Sequence, residues 1–124
     1  MLSDKNAAVT IAVKDTKAAK KFYEGVLGLK PIPSRELGVL NYKSGDSSIL
    51  VYESRYAGTN KATAATWVVD DVERAVDDLK HKGVKFEHYD MPEMTRKGDI
   101  HVAGHTHAAW FKDPDGNILS LVNG

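Results

Sequence analysis

The sequence contains no cysteine, which excludes disulfides, thiolate metal ligands and thiol nucleophiles. It also lacks an excess of charge of either sign, since 17 Lys+Arg balance 17 Asp+Glu. Without a basic stripe, nucleic acid and anionic membrane surfaces are not expected partners. No apolar run approaches the ~20 residues of a membrane span, and Met1-Leu2-Ser3-Asp4-Lys5 begins no secretory signal. The expectation is a soluble, cytoplasmic protein. Its 124 residues suit one domain, 1–124, with enough chain to bury an ordinary core.

What is present is a hairpin that occurs twice. Trp110 to Val122, WFKDPDGNILSLV, places two apolar runs around the turn DPDGN. Asp, Pro and Gly there supply local hydrogen bonds, a fixed φ and a site tolerant of positive φ. Tyr42 to Tyr52, YKSGDSSILVY, is a weaker copy. Aligning Tyr42-Lys43 with Phe111-Lys112 gives an offset of 69, which also aligns Ile49-Leu50 with Ile118-Leu119. Equal spacing predicts one register for both hairpins, and a duplicated chain.

The remaining elements repeat in the same order. Ala7 to Val13 alternates as a strand, with Val9, Ile11 and Val13 on one parity. Asp15 or Thr16 is a candidate N-cap for an amphipathic helix from Thr16 to Leu27, closed by Gly28. Pro31 and Pro33 confine the next extended segment to an edge or loop. A hairpin over Val39 to Glu53 ends the first module (about 7–54), and 55–62 reads as a linker. The second module (about 63–123) restarts with strand Ala64–Val69, cap Asp71, helix Val72–Lys82, Gly83 and strand Val84–Tyr89. Asp15 and Asp71 lie 56 apart, an offset that also pairs Ala8 with Ala64. Asp90 to Gly104 reads as a loop or mobile flap. The fold class is α+β, two βαβββ modules in tandem.

The strand ending VKD or VDD, the helix with FYEGVLGL and the hairpin with DPDGN resemble the vicinal oxygen chelate superfamily. That family includes glyoxalase I, extradiol dioxygenases, fosfomycin-resistance enzymes and bleomycin-binding proteins. The resemblance covers roughly Ala7 to Val122 and implies half-barrels around a cavity. It also implies where a divalent cation would be held in the metal-dependent members: seven residues before each capping Asp, and on the last strand of each module. Those positions read Ala8, Val51, Ala64 and Ser120. A divalent cation needs several oxygen or imidazole ligands at about 2.0–2.6 Å. Two methyls, an isopropyl and one hydroxyl do not supply them, so no metal or other cofactor is expected at that site.

Strand alternation from those positions predicts a mostly apolar trough. Thr10, Ile49, Glu53, Thr66, Val68 and Ile118 share its parity, with Trp110 across from Ser120 and Asn41 across from Val51. The expected ligand-binding set is Thr10, Asn41, Val51, Glu53, Thr66, Val68, Trp110 and Ser120. Trp67, Phe22, Tyr23 and Phe111 fall to the core instead. His101, His105 and His107 share the parity opposite to Trp110, which points them away from the trough. The resulting expectation is a metal-free binder of a planar or aromatic compound, akin to the bleomycin-resistance branch, forming a homodimer through open strand edges. The alternative is a lyase, isomerase or dioxygenase-family enzyme using Glu53 or the His101/His105/His107 cluster.

Overall fold

The computed structural model describes residues 1–34 and 36–124. Strand β1 (Val9–Val13) leads into helix α1 (Thr16–Lys20), followed by β2 (Lys30–Ile32), β3 (Val39–Ser44) and β4 (Ser47–Glu53). The second half holds β5 (Thr63–Val69), α2 (Val72–His81), β6 (Phe86–Glu87), β7 (Thr95–Lys97), β8 (Ile100–Ala103), β9 (Thr106–Lys112) and β10 (Ile118–Asn123). Two sheets result, in the orders β1-β4-β3-β2 and β5-β10-β9-β8-β7, with β6 also pairing β9. Among the described residues no helix is long and apolar enough to cross a membrane.

The expected caps form. The Asp15 carboxylate accepts from the Lys17 N–H at 2.9 Å and Asp71 from the Arg74 N–H at 3.1 Å, satisfying donors that a helix start leaves free. Gly28 and Gly83 take the left-handed conformation just past their helices, at φ 72 and 90. One expectation needs correction here. The helix predicted over Thr16–Leu27 is α-helical only to Lys20, and Lys21–Val26 widens into a π-helical segment. The Leu27 N–H reaches back five residues to the Phe22 carbonyl at 2.9 Å. Gly25 lies in that widened stretch, where a residue without a side chain resists distortion least.

Asp90–Gly104 is likewise no loop throughout. Gly98, at φ 62, and Asp99 turn the chain between β7 and β8, where Lys97 pairs with Ile100. The strand predicted over Val84–Tyr89 shrinks to Phe86–Glu87, paired with Phe111 and Trp110. Asp99 ties this hairpin to α2. It accepts from Lys80 Nζ at 2.8 Å and meets His88 Nε2 at 2.7 Å. The Lys80 hydrogen bond, then the one from His88, hold its carboxyl below the usual carboxylate range.

Both helices pack on one side of the sheets, over a single core. Ile11, Val13, Ile49 and Val51 from the first sheet and Ala65, Phe111, Leu119 and Leu121 from the second belong to one buried cluster with Tyr23 and Val76. Phe22 meets Phe111 at 6.4 Å between ring centroids, and Phe111 meets Phe86 at 5.5 Å. Trp67 lies against this core and donates to Ser44 Oγ at 3.0 Å, as its parity predicts. Among the described residues neither α-helix packs on the opposite face of the sheets.

The DPDGN turn joins the two modules. Asp113, 4% exposed, accepts from Tyr23 Oη at 2.7 Å and from Asn117 Nδ2 at 2.8 Å. Its other oxygen accepts from the N–H groups of Asp115 and Asn117, each at 2.9 Å. The Asn117 amide also donates to the Ala12 carbonyl at 2.7 Å, and the Asp115 carboxylate accepts from the Lys14 N–H at 2.9 Å. Burial, then the Asp113 carboxylate, pushes the Tyr23 phenol above its ordinary value. A turn that is hydrogen-bonded within itself is thereby bonded to β1 and to the π-helical segment of the other module.

Candidate functional site

The helix-free faces are where the sequence places the trough, and their composition follows from pairing. In the second sheet β9 and β10 align Trp110 with Ser120 and Ala108 with Val122, as predicted for the first pair. Ser120 pairs with Thr66 and Val122 with Val68 across β10 and β5. Paired residues point to the same side, so Thr66, Val68, Ser120 and Trp110 form one surface. Thr66 Oγ1 and Ser120 Oγ lie 2.6 Å apart. Trp110 Nε1 donates to Thr63 Oγ1 at 3.2 Å, which lays the indole across this face.

The first sheet departs from expectation by one residue. Its hairpin closes on Gly45-Asp46, pairing Ser44 with Ser47, whereas the second closes on five residues, pairing Lys112 with Ile118. Equal sequence spacing therefore hides unequal registers. Asn41 pairs with Leu50, and Val51 pairs with Leu40. A one-residue slip moves every side chain to the other face. Val51 and Ile49, 0% and 3% exposed, are core residues beneath the helices and do not line the trough. Leu50 takes the place assigned to Val51, in one row with Thr10 and Asn41.

Glu53 shares the parity of Val51 and leaves the trough with it. Its carboxylate meets Thr16 Oγ1 at 3.4 Å, at the start of α1. Six of the eight expected residues therefore occupy the helix-free faces: Thr10 and Asn41 on the first sheet, and Thr66, Val68, Trp110 and Ser120 on the second. These faces are open in a single chain; Val68 is 70% exposed.

The three histidines separate because Gly104, at φ 58, and His105 form a two-residue turn between β8 and β9. Treating His101 to Trp110 as one strand misses the reversal. Val102 pairs with His107 and His101 with Ala108. His107 consequently lies on the helix side, 2.6 Å from Glu73 of α2 through Nδ1. His105 stays in the exposed turn. His101 reverses the expectation: it lies on the same face as Trp110, 1% exposed. Gly104 is the signal in the sequence, since a glycine between two alternating runs marks a turn.

His101 and Tyr89 cluster with the indole. The His101 ring meets Trp110 edge-on at 4.9 Å and 86°, and Tyr89 meets it at 5.6 Å and 80°. Such edge-to-face pairs contribute about 0.5–1.5 kcal/mol beyond buried area. The Tyr89 N–H donates to His101 Nε2 at 3.0 Å. In the sequence Tyr89 marks only the end of a strand.

The residues at the family's cation positions do not fit a metal. Ala8 and Ala64 end in methyls and Leu50 in an isobutyl group, while the Ser120 hydroxyl is engaged by Thr66 at 2.6 Å. Residue 64 falls where the β5–β10 register shifts between Ile118 and Leu119, and either neighbour, Thr63 or Ala65, adds at most one hydroxyl. Among the described residues no three His, Asp or Glu side chains gather as an ion site.

The Glyoxalase/Bleomycin resistance protein/Dioxygenase superfamily model matches residues 6–121. The chain belongs to this superfamily. Solved structures with the same fold include a glyoxalase/bleomycin resistance protein from a Streptomyces species, 22% identical over 94% of this chain and 98% of that one, with TM-score 0.66. A lactoylglutathione lyase from Agrobacterium tumefaciens is 17% identical over 98% and 94%, at TM-score 0.71. The fosfomycin resistance protein FosX from Mesorhizobium loti is 14% identical over 98% and 92%, at 0.68. At such identities the likeness shows the fold alone. A search of curated proteins returned no match.

Proposed function

We propose that this superfamily member binds a planar or aromatic small molecule on the helix-free face of its second module and sequesters it without a metal. The observation that carries the reading is Trp110. Its indole is held by Thr63 and two edge-on rings in a face that also carries the small side chains Thr66, Ala108 and Ser120, with Val122 and Glu87 beside them. A fixed aromatic plane beside a few hydroxyls suits a flat organic ligand. Aliphatic residues at three of the four cation positions favour sequestration over metal-assisted chemistry. Glu53, the carboxylate of the lyase or isomerase alternative, lies on the other face, and Glu87, which pairs with Trp110 on this face, is paired with Lys112 at 3.7 Å.

Trp110→Ala should weaken binding of a neutral planar aromatic such as acetylnaphthalene by roughly 10-fold or more. It should lower stability by only about 1–3 kcal/mol, less than the ~3–5 of a fully buried aromatic. Isothermal titration and urea unfolding read the two quantities separately. Unchanged affinity in the folded variant would end this assignment.

The proposal includes a second copy of the chain as the cover of the trough. Leu37, Ile32, Tyr52 and Val68 are exposed by 102%, 41%, 36% and 70%, and Ile32, Tyr52 and Val68 share the helix-free faces. Burying such residues favours association. Light scattering at micromolar concentration should return twice the 13.6 kDa chain mass; a monomer mass would contradict it.

A further inference from the structure

Two polar groups beneath Trp110 are left without a protein partner. Among the described residues, His101 Nδ1 and Tyr89 Oη are buried and make no hydrogen bond. The state of the imidazole follows from its one bond. A backbone N–H can only donate, so His101 Nε2, 3.0 Å from the Tyr89 N–H, is the acceptor. The ring proton is then on Nδ1, and His101 presents an N–H donor with nothing to receive it. The imidazole is 1% exposed. Tyr89 lies 6.3 Å away between ring centroids, tilted by 33°, and its hydroxyl can donate as well. Native structures rarely bury unpaired donors, and the exceptions gather at functional sites.

We infer that His101 Nδ1–H and Tyr89 Oη form the polar end of the ligand site, taking the oxygen of a neutral aromatic carbonyl compound stacked on Trp110. This rests on the binding role proposed for Trp110 and specifies its ligand class. Both donors are uncharged in the hydrogen-bonded arrangement. A carboxylate placed on them would be desolvated without a bonded cation, which is costly. A ketone or quinone oxygen accepts two hydrogen bonds at far smaller desolvation cost. The neighbouring cations are turned elsewhere: Arg96 donates to the Gly98 carbonyl at 2.8 Å and Lys112 pairs with Glu87 at 3.7 Å. Tyr89 as a whole is only half-buried, so the proposed site requires its side chain to shift to admit the ligand and its hydroxyl then to close on the carbonyl oxygen.

The test uses acetylnaphthalene, ethylnaphthalene and naphthoate, which share the ring system and differ in the substituent. The ketone should bind the intact protein about 10-fold more tightly than the hydrocarbon, and more tightly than the carboxylate. Tyr89→Phe, which deletes one oxygen, should reduce the ketone-to-hydrocarbon ratio roughly threefold. Heteronuclear NMR of the wild-type His101 imidazole should show the Nδ1–H resonance moving with the ketone and not with the hydrocarbon. This readout does not depend on a variant that folds. Equal binding of ketone and hydrocarbon, each weakened by Trp110→Ala, would overturn the polar subsite and leave the Trp110 site standing. Tightest binding of naphthoate would overturn the neutral class. Binding of none of the three would overturn both proposals.

Discussion

Asp113→Ala is expected to destabilise the protein by roughly 3–5 kcal/mol. The carboxylate receives four hydrogen bonds, from Tyr23 Oη, Asn117 Nδ2 and two backbone N–H groups. Hydrogen bonds to a charged acceptor contribute about 1.5–3 kcal/mol each, and a buried donor stripped of its partner costs about 1–3. These contributions overlap because the groups share one acceptor, so the total is less than their sum. Tyr23 is 0% exposed, so removing Asp113 takes away the acceptor of a buried hydroxyl. The midpoint of thermal unfolding should fall by roughly 10–20 °C for a domain of this size. Tyr23→Phe is the milder companion, expected to cost about 1–2 kcal/mol because Asp113 keeps three donors. A loss below about 1 kcal/mol for Asp113→Ala would mean that the turn contributes little to joining the modules.

Gly58→Ala should cost roughly 2–4 kcal/mol, although the residue lies in the segment between the modules and carries no side chain. A Cβ at this position would stand 1.9 Å from the Asp115 carbonyl oxygen and 3.0 Å from its carbon. The DPDGN turn is the neighbour here too, and its Asn117 and Asp115 side chains are already bonded to Ala12 and Lys14, which leaves it little room to move. The φ of +71 adds the ordinary left-handed penalty of about 1–2 kcal/mol. Gly45→Ala isolates that second contribution. Gly45 also has positive φ, +55, yet a methyl group there would meet nothing within 4 Å, so the variant should lose only about 1 kcal/mol. Urea unfolding of the two variants under identical conditions measures the difference. Equal losses would show that the Gly58 approach relaxes without cost.

Sequence alone determined the features whose causes are local. Asp15 and Asp71 cap helices because a carboxylate beside free N–H groups needs no distant partner, and Gly28 and Gly83 end them because only glycine takes positive φ cheaply. DPDGN closes its own hairpin, so the pairing of Trp110 with Ser120 was readable from spacing, and with it the shared face of Thr66, Val68 and Ser120. The aliphatic residues at 8 and 64 were readable in the same way. Tertiary structure decided whatever depended on how a turn is counted or on which segments meet. Gly45-Asp46 closes on two residues where the second hairpin uses five, and the resulting one-residue shift of register sends Val51 and Glu53 to the helix side and leaves Leu50 on the helix-free face. Gly104-His105 reverses the chain inside what reads as one strand, which brings His101 to Trp110 and sends His107 to Glu73. The bond from Tyr23 to Asp113 and the approach of Gly58 to Asp115 join residues 90 and 57 positions apart. Alternation along a strand carries no information about such meetings, because side-chain parity is defined only within one unbroken strand and each turn resets it.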